Sequence, residues 1–505
     1  MESTKTSAKA CHNCRRRRLR CDRSYPHCNK CIGSGKECLG YGKLFRWIGA
    51  VASRGKLAGR TSSAPLDFPI RQSSSSPPPP PPAQQLVARP PSPVFRTLVD
   101  PLYQDIDSGE RRYLAYFTRR LCKDLVANDD DNPYRDLLGL TKAHPLLRHT
   151  LVAASATHMY NLVRLPLIRR VEDGLPASQD LDDMSRWAYR HALSAKHEAL
   201  SLMRDAIQNI NADTGDVVLT SVLFLFTLEL IESGKHGWKA HLRAAIQILS
   251  VLEPALPRYE DMRNLMLYDS LVYLVMGSAF LPEPLVDVAP LFQPSKFSEM
   301  VARAAAHSYI CCPGPVLGVL YEASQLSNAA GDGTDAAAIQ ASGLALIRRA
   351  QEFDVEAWAG DDANFSALRL PSVETRTHAG FAHRLAVCLY TMRAIPSLCS
   401  HKSNQNSARM LTEGIIRHVS AISSDDPNFK VVTWPTFVVG AESTSPASRD
   451  WAARKLDQLA SSCPWGFLHT ALEALHRLWS MESSETESGC WVKKLKESEF
   501  HFLVV

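Results

Sequence analysis

The stretch CHNCRRRRLRCDRSYPHCNKCIGSGKEC, residues 11–38, decides the fold of the N-terminal part of the chain. It holds two copies of the spacing C-x2-C-x6-C, separated by six residues. The cysteines are Cys11, Cys14, Cys21, Cys28, Cys31 and Cys38. Thiolates are ligands that Zn²⁺ prefers, and a two-residue gap lets both sulfurs of a pair reach one ion. The repeat therefore predicts a small module folded around zinc.

The number of cysteines limits how that zinc is held. Six thiolates can complete two tetrahedral sites only if two sulfurs bridge two ions. A single four-cysteine site of Cys11, Cys14, Cys28 and Cys31 is the alternative, and it makes the third cysteine of each copy a coincidence. Three disulfides would need a secretory route, and the N-terminus has no apolar signal stretch. We therefore expect a reducing compartment in which the 13 cysteines are thiols or ligands rather than disulfides.

Charge is distributed unevenly along the 505 residues, whose formal net charge is only +5. Residues 1–60 carry 15 Lys and Arg against three acidic residues, a balance of +12, which leaves −7 for the remainder. A strongly basic head favours a polyanionic partner, most simply nucleic acid. The longest mainly apolar run, Val217 to Leu228, has 12 residues and is too short to cross a bilayer, so we expect a core helix and no membrane partner.

Five arginines, Arg15–Arg18 and Arg20, stand between the second and third cysteines, and Leu19, which interrupts them, can pack inward. A basic run alone is typical of a nuclear localisation signal or of a solvated helix face. Between two zinc ligands it is held rigidly, which a localisation signal does not need. We therefore expect the run to bind nucleic acid and the protein to be nuclear. The arginines carry no interleaved aromatic side chains, which weighs against stacking on single strands.

Composition changes near residue 61, where a segment rich in Ser and Pro begins. Eleven of the 31 prolines fall between Thr61 and Pro93, including Pro77 to Pro82 after four serines. Such a tract forms no packed core and acts as a semi-rigid spacer. Just before it, apolar residues at Leu44, Trp47, Ile48 and Val51 give barely two helical turns. That is too short for a coiled coil, so we expect either a basic arm or an apolar stripe that packs on the head. Any homodimer is then expected to form through the body.

The chain after residue 94 shows helical periodicity almost throughout. Apolar residues recur at three- and four-residue steps in eleven segments. These are Glu110–Val126, Leu146–Leu165, Met184–Ile210, Val217–Ile231, Trp238–Leu252, Met262–Phe280, Ala336–Phe353, Thr375–Ala394, Ala408–Ile422, Ser448–Ala460 and Trp465–Met481. The best alternating run, Lys430–Val439, is interrupted by Pro435, and we expect a loop or broken helix between Ile310 and Thr334. The pattern predicts a large all-α domain.

At all six cysteines the N-terminal segment resembles the fungal binuclear zinc cluster, Zn2Cys6, of DNA-binding transcription regulators. The resemblance implies two Zn²⁺ ions, with Cys11 and Cys28 as bridging sulfurs, the other four cysteines as terminal ligands, and two short helices around the metals. It also places Pro26 in the loop between the halves, where the Tyr25–Pro26 bond is expected to be cis.

The same resemblance assigns DNA contacts. The positions of Arg17 and Arg18 meet a CGG triplet in the major groove of double-stranded DNA, and the family usually has Lys at the second of them. Arginine donates two hydrogen bonds to guanine, so guanine recognition is retained. The remaining basic residues are expected to contact phosphates. These are Arg15, Arg16, Arg20, Arg23 and Lys30.

The body resembles the family's fungal-specific regulatory region in Asp100–Phe117, Glu229–Leu249 and Thr433–Ser443. We therefore expect a zinc-cluster DNA-binding domain with a basic arm at 1–60, a disordered linker at 61–93 and an all-α regulatory domain at 94–505. By resemblance it regulates RNA polymerase II genes and contacts the transcription machinery or co-regulators. The alternatives are a helical body that is a ligand receptor or enzyme, and a non-specific nucleic-acid binder. No catalytic motif is found, and the histidines have no acidic partner at catalytic spacing, so we expect no enzyme.

Overall fold

A computed structural model divides the chain into two units, residues 1–94 and 95–505. It describes residues 9–24, 28–34, 38, 105–126, 129, 132–172, 179–211, 214–235, 237–252, 260–286, 294–330, 335–365, 371–399, 401, 404–481 and 490–505. The Tyr25–Pro26 bond, the basic arm and the linker at 61–93 lie outside these ranges. Within them the regular elements are helices, without strands, which confirms the predicted large all-α body.

The first unit contains two five-residue helices, α1 (His12–Arg16) and α2 (Asn29–Gly33). Each begins directly after the first cysteine of one copy of the repeat. Five residues close barely one turn, which has little stability of its own in water. The cysteines must therefore supply the interactions that hold this unit together.

The first half of the body contains eight helices and two short irregular turns. The helices are α3 (Ser108–Tyr116), α4 (Cys122–Asp124), α5 (Leu137–Leu140), α6 (Pro145–Glu172), α7 (Gln179–Gln208), α8 (Gly215–Glu232), α9 (Trp238–Val251) and α10 (Glu260–Ser278). A π-helical turn, Phe117–Leu121, separates α3 from α4, and a 3-10 turn, Pro133–Asp136, precedes α5. The predicted helix Glu110–Val126 is therefore broken into pieces, while the other segments predicted in this half are confirmed.

The second half contains eleven further helices. They are α11 (Pro294–His307), α12 (Gly314–Ala329), α13 (Ala336–Glu352), α14 (Val355–Gly360), α15 (Val373–Ala394), α16 (Pro396–Cys399), α17 (Asn404–Ala421), α18 (Thr433–Glu442), α19 (Pro446–Ser462), α20 (Gly466–Met481) and α21 (Trp491–Glu497). Two more 3-10 turns occur, at Asp362–Asn364 and Phe429–Val432.

One expectation for this half was wrong. The segment between Ile310 and Thr334, expected to be a loop or broken helix, contains the 16-residue helix α12. Its Gly and Pro residues interrupt the pattern at the helix start, where Pro315 occupies the first turn and needs no hydrogen-bond donor. The alternating run at Lys430–Val439 is also helical, because Pro435 falls in the first turn of α18.

Helix α8 lies at the centre of the body. Every residue from Gly215 to Ile231 is buried, as expected for a helix that is apolar on all sides. Asp216 in its first turn is paired with Arg263 of α10, 2.5 Å from Nε to Oδ1. Trp238 at the start of α9 packs nearby and is also fully buried. The core helix predicted from Val217–Leu228 is confirmed, and no described helix is long and apolar enough to span a membrane.

The last described residues, 490–505, are built into this core. Phe502 stacks on Phe280 with ring centroids 5.8 Å apart, and the N–H of Leu503 donates to the carbonyl of Gly234 at 3.1 Å. Gly234 has φ of +67°, and a Cβ there would lie 2.9 Å from Cβ of Phe467. The positive φ and the close approach of α20 therefore require glycine at 234.

Two cysteines of the body lie close enough for a disulfide, which the expectation of thiols and ligands did not foresee. Cys399 at the end of α16 and Cys490 just before α21 have Cα atoms 6.2 Å apart. They stand 91 residues apart in the chain, so no local spacing signals the pair. The thiol expectation was drawn from the compartment alone, and it could not anticipate two cysteines that the fold brings together.

We predict that Lys496 makes stability depend on pH in the alkaline range. Burial lowers the pKa of this amine to about 8, against about 10.4 in an unfolded chain. Between those values the unfolded state binds more protons than the folded state, so the free energy of unfolding rises with pH. The rise is at most about 3 kcal/mol relative to Lys496→Met, which lacks the titrating group.

Urea unfolding at pH 8, 9 and 10, followed by circular dichroism, measures this difference. Lys493→Met is the matched control, since Lys493 lies on the same helix α21 and is exposed. Parallel pH dependence for the wild-type protein and Lys496→Met would contradict the prediction.

Candidate metal centre and nucleic-acid interface

The structure brings all six cysteines of the repeat together. Their sulfurs form two groups of four, in each of which every pair lies within 4.8 Å. One group contains Cys11, Cys14, Cys21 and Cys28, and the other contains Cys11, Cys28, Cys31 and Cys38. Cys11 and Cys28 belong to both groups, and their Sγ atoms are 3.5 Å apart. This arrangement fits two tetrahedral zinc ions that share two sulfurs, and it does not favour a single four-cysteine site.

The two copies of the repeat have the same local geometry. Cys11 caps the N-terminus of α1, and its Sγ accepts the N–H of Cys14 at 3.4 Å. Cys28 caps α2 in the same way, with its Sγ accepting the N–H of Cys31 at 3.3 Å. Both helix starts therefore aim N–H groups at sulfur, which favours thiolate over thiol.

The third cysteine of each copy closes the unit. The Sγ of Cys21 accepts the N–H of Cys11 at 3.4 Å, and the Sγ of Cys38 accepts the N–H of Cys28 at 3.3 Å. The duplication in sequence is therefore a duplication in structure, which chance clustering of cysteines would not produce.

Protonation of the cysteines reflects their burial. Burial raises the pKa of Cys11 to about 12 and also raises the pKa of Cys28. Burial also tends to raise the pKa of the less buried Cys21. Hydrogen bonds from the N–H groups of Cys11 and Arg23 outweigh this effect and lower the pKa of Cys21 to about 7. Without metal the shared sulfurs are thus protonated at neutral pH, and zinc binding releases their protons.

The arginine run begins in α1 and continues past its end. The N–H of Arg18 donates to the carbonyl of Arg15 at 3.2 Å, and the N–H of Leu19 donates to that of Cys14 at 2.9 Å. These two bonds form a Schellman motif. Arg18 occupies its left-handed position with φ of +52°, where glycine is usual.

The basic side chains around this turn are open to solvent. Those of Arg15, Arg17, Arg18 and Arg20 are exposed, while Cys14 beneath them is buried. Arg23 and Lys30 are exposed as well, and the side chain of Arg16 lies outside the described atoms. Leu19 is 41% exposed, so the expectation that it packs inward was wrong. The structure therefore presents one basic surface at the end of α1.

Asp22 is a structural residue that the sequence analysis missed. Its Oδ2 accepts the N–H of Asn29 at 2.9 Å, and its Oδ1 accepts that of Lys30 at 3.3 Å. The hydroxyl of Ser24 donates to the same carboxylate, and these donors hold the pKa of Asp22 well below its usual range. A residue of the segment between the two copies thus caps the helix of the second copy. Asp22 stands seven residues before Asn29, too far for any local capping pattern to reveal it.

The body contains a buried polar cluster that sequence spacing did not reveal. Nε2 of His158 lies 2.8 Å from Oδ2 of Asp124, and Nδ1 lies 2.8 Å from the hydroxyl of Tyr116. Arg120 also donates to Asp124, at 2.6 Å. Both ring nitrogens are thus engaged within this buried cluster. His158 has no acidic partner at catalytic spacing in the sequence. In the folded chain, however, Asp124 lies beside it.

Comparison with known families agrees with this geometry. Residues 9–47 match the fungal Zn(2)-Cys(6) binuclear cluster domain, and residues 112–505 match the fungal specific transcription factor domain. The chain belongs to the fungal Zn2Cys6 transcription factors. Its cofactor is the zinc of a binuclear cluster, and it is a transcription regulator whose zinc cluster binds DNA.

Two characterised relatives are similar to this Zn2Cys6 factor. The acriflavine sensitivity control protein acr-2 of Neurospora crassa is 28% identical over 605 aligned positions, which cover 99% of this chain and 97% of that protein. The sterol uptake control protein 2 of Candida albicans is 27% identical over 175 positions, 31% of this chain and 22% of that protein. No solved structure matches the chain. The first similarity extends over both the zinc cluster and the helical body.

Proposed function

We propose that this Zn2Cys6 factor is a nuclear regulator of RNA polymerase II genes that recognises CGG-type triplets in duplex DNA. The proposal rests on the exposed basic side chains at the end of α1, a helix that the buried cysteines hold in place. Arg17 and Arg18 project where α1 ends, and Arg18 is held by the Schellman turn. A short helix end of this kind can enter the major groove and donate two hydrogen bonds per arginine to guanine O6 and N7.

The other basic residues set affinity rather than sequence preference. Two Zn²⁺ with six thiolates carry a net charge of −2, which repels phosphate. The proposed phosphate contacts offset this charge, and they make binding depend on salt concentration. They are Arg15, Arg16, Arg20, Arg23 and Lys30.

The zinc ligands follow from the two groups of sulfurs. We assign Cys11 and Cys28 as bridging ligands, because only these two belong to both groups. Cys14, Cys21, Cys31 and Cys38 are then terminal ligands. With all positions filled by sulfur, the metal has no open site for substrate, so its role is to fold the head.

The body performs regulation rather than DNA binding. Residues 61–505, which include the body, carry a formal charge of −7 and so have no electrostatic reason to approach phosphate. Residues 94–505 are therefore the regulatory domain, which forms any homodimer and contacts the transcription machinery or co-regulators. Residues 61–93 tether it to the DNA-binding head at 1–60.

Binding of the full-length, zinc-loaded protein to labelled duplexes tests the proposal. A duplex that carries CGG should bind at least about tenfold tighter than a scrambled duplex of equal composition, since one bidentate arginine–guanine pair gives about 1–3 kcal/mol. A zinc chelator should abolish the binding. Equal affinity for scrambled duplex or RNA would show a non-specific binder and overturn the proposal.

A further inference from the structure

Cys399 and Cys490 join two distant parts of the body. Cys399 is the last residue of α16, and Cys490 is the N-cap of α21. Their Cα atoms are 6.2 Å apart, within the range that a disulfide bridges without moving the backbone. The fold therefore places these two sulfurs for bond formation even though 91 residues separate them.

The pair is accessible from solvent. Both cysteines are half-buried and line an open cleft of about 680 Å³, whose walls include Arg393, Glu442 and Trp491. A small oxidant or a thiol reductant can enter a cleft of that size. The sulfurs are thus exposed to the redox state of the surroundings.

The other cysteines of the body are poorly suited to the same reaction. Burial raises the pKa of Cys311 to about 12 and that of Cys388 to about 11, and it also raises the pKa values of Cys122 and Cys312. Thiolates rather than thiols react with oxidants, so these buried thiols react slowly. Cys463 is half-buried, but burial raises its pKa as well.

The segment that follows Cys490 is attached to the body by contacts next to the cleft. The indole N–H of Trp491 donates to Oε2 of Glu442 at 2.9 Å, and Glu442 accepts two bonds from Arg393, at 2.6 and 2.9 Å. Arg393 belongs to α15 and Glu442 to α18. A bond at Cys490 therefore fastens α21 where it meets two core helices.

We propose that Cys399 and Cys490 are a redox modification site at which peroxide forms, and cellular thiols reduce, a disulfide that locks residues 490–505 onto the body. One thiolate attacks a peroxide oxygen, the O–O bond breaks, and a sulfenic acid and hydroxide result. The second thiolate attacks the sulfenic sulfur and displaces its hydroxyl as hydroxide. The two thiol protons convert both hydroxides to water, so two thiols are oxidised and one peroxide is reduced.

Reversibility follows from the position of the bond. Thiol pools of a reducing compartment attack accessible disulfides through a mixed disulfide. A pair that lines an open cleft can be attacked, whereas a disulfide sealed in the core would persist. The oxidised state restrains α21 and the tail, and the reduced state lets them open more often.

The test uses the full-length, zinc-loaded protein, fully reduced and then treated with hydrogen peroxide. Alkylation and peptide mass spectrometry should show a Cys399–Cys490 linked peptide at peroxide levels that release no zinc. Amide exchange of residues 491–497 should slow at least tenfold on oxidation and recover after excess reduced glutathione. Cys399→Ser and Cys490→Ser should show neither change, whereas Cys463→Ser, the matched half-buried control, should behave as the wild-type protein.

Three results would overturn the proposal. The first is separate alkylation of both cysteines after peroxide, which means that no bond forms. The second is a linked peptide that excess glutathione does not reduce, which makes the bond a permanent structural one. The third is slowed exchange in both Cys399→Ser and Cys490→Ser, which would place the oxidation elsewhere. If zinc stays bound throughout the experiment, none of these three results can be attributed to damage to the binuclear cluster.

Discussion

Cys28→Ser is expected to remove both zinc ions from the protein and to lower DNA affinity by at least about 100-fold. Cys28 belongs to both groups of four sulfurs, so its loss leaves each group with three ligands. Its Sγ also accepts the N–H that begins α2. Zinc stoichiometry, measured by atomic emission on the purified full-length variant, and binding to a CGG duplex check the prediction.

The effect is expected to be large because the described part of the head has no core of aliphatic or aromatic side chains. Its buried apolar cluster consists of five cysteines, with Cys21 packed beside them, and no aliphatic or aromatic side chain contributes among the described residues of this unit. A unit of this size without such a core depends on metal for folding. Structural zinc supplies about 10–16 kcal/mol in comparable small domains, and nothing among the described residues of the head replaces it.

Cys21→Ser is the matched control for this prediction. Cys21 belongs to one group only and is half-buried, so the second group keeps its four sulfurs. We expect about one zinc ion per chain and an intermediate loss of DNA affinity. Two zinc ions bound to Cys28→Ser, or identical losses in the two variants, would contradict the shared role of Cys28.

The sequence was most informative where chemistry is local. Metal ligands at short, repeated spacing specify the head almost completely, because each triplet folds within eleven residues around its own helix start. Helical periodicity identified the all-α body for a similar reason, since a helix such as α9 buries one face that can be read from residues three and four apart.

What the sequence could not supply depends on contacts between distant residues. Asp124 meets His158, and Cys399 meets Cys490, only after the helices have packed. Glycine and proline were misleading at α12, where they mark a helix start rather than a break. Asp22 shows the same limit on a small scale, since it caps α2 from the segment between the two copies, seven residues before Asn29.

Substitutions at Arg18 should separate its structural role in the turn from its proposed role in DNA recognition. Its φ of +52° is unfavourable for an arginine and suits glycine, so Arg18→Gly should keep the Schellman turn and stabilise the head by up to about 1 kcal/mol. The same change removes the proposed guanine contact. We expect two bound zinc ions, and a preference for CGG over scrambled duplex reduced by about 5- to 150-fold, the equivalent of 1–3 kcal/mol.

Two further variants determine which property of Arg18 matters. Arg18→Lys keeps the charge but loses the bidentate geometry, so it should reduce the preference for CGG while the salt dependence of binding stays unchanged. Arg15→Ala should do the reverse, weakening every duplex alike and lowering the salt slope by about one. Titrations of both duplexes at several salt concentrations distinguish these results. If Arg18→Gly and Arg15→Ala weaken all duplexes equally, then Arg18 contacts phosphate and the base contacts must come from elsewhere on the basic surface.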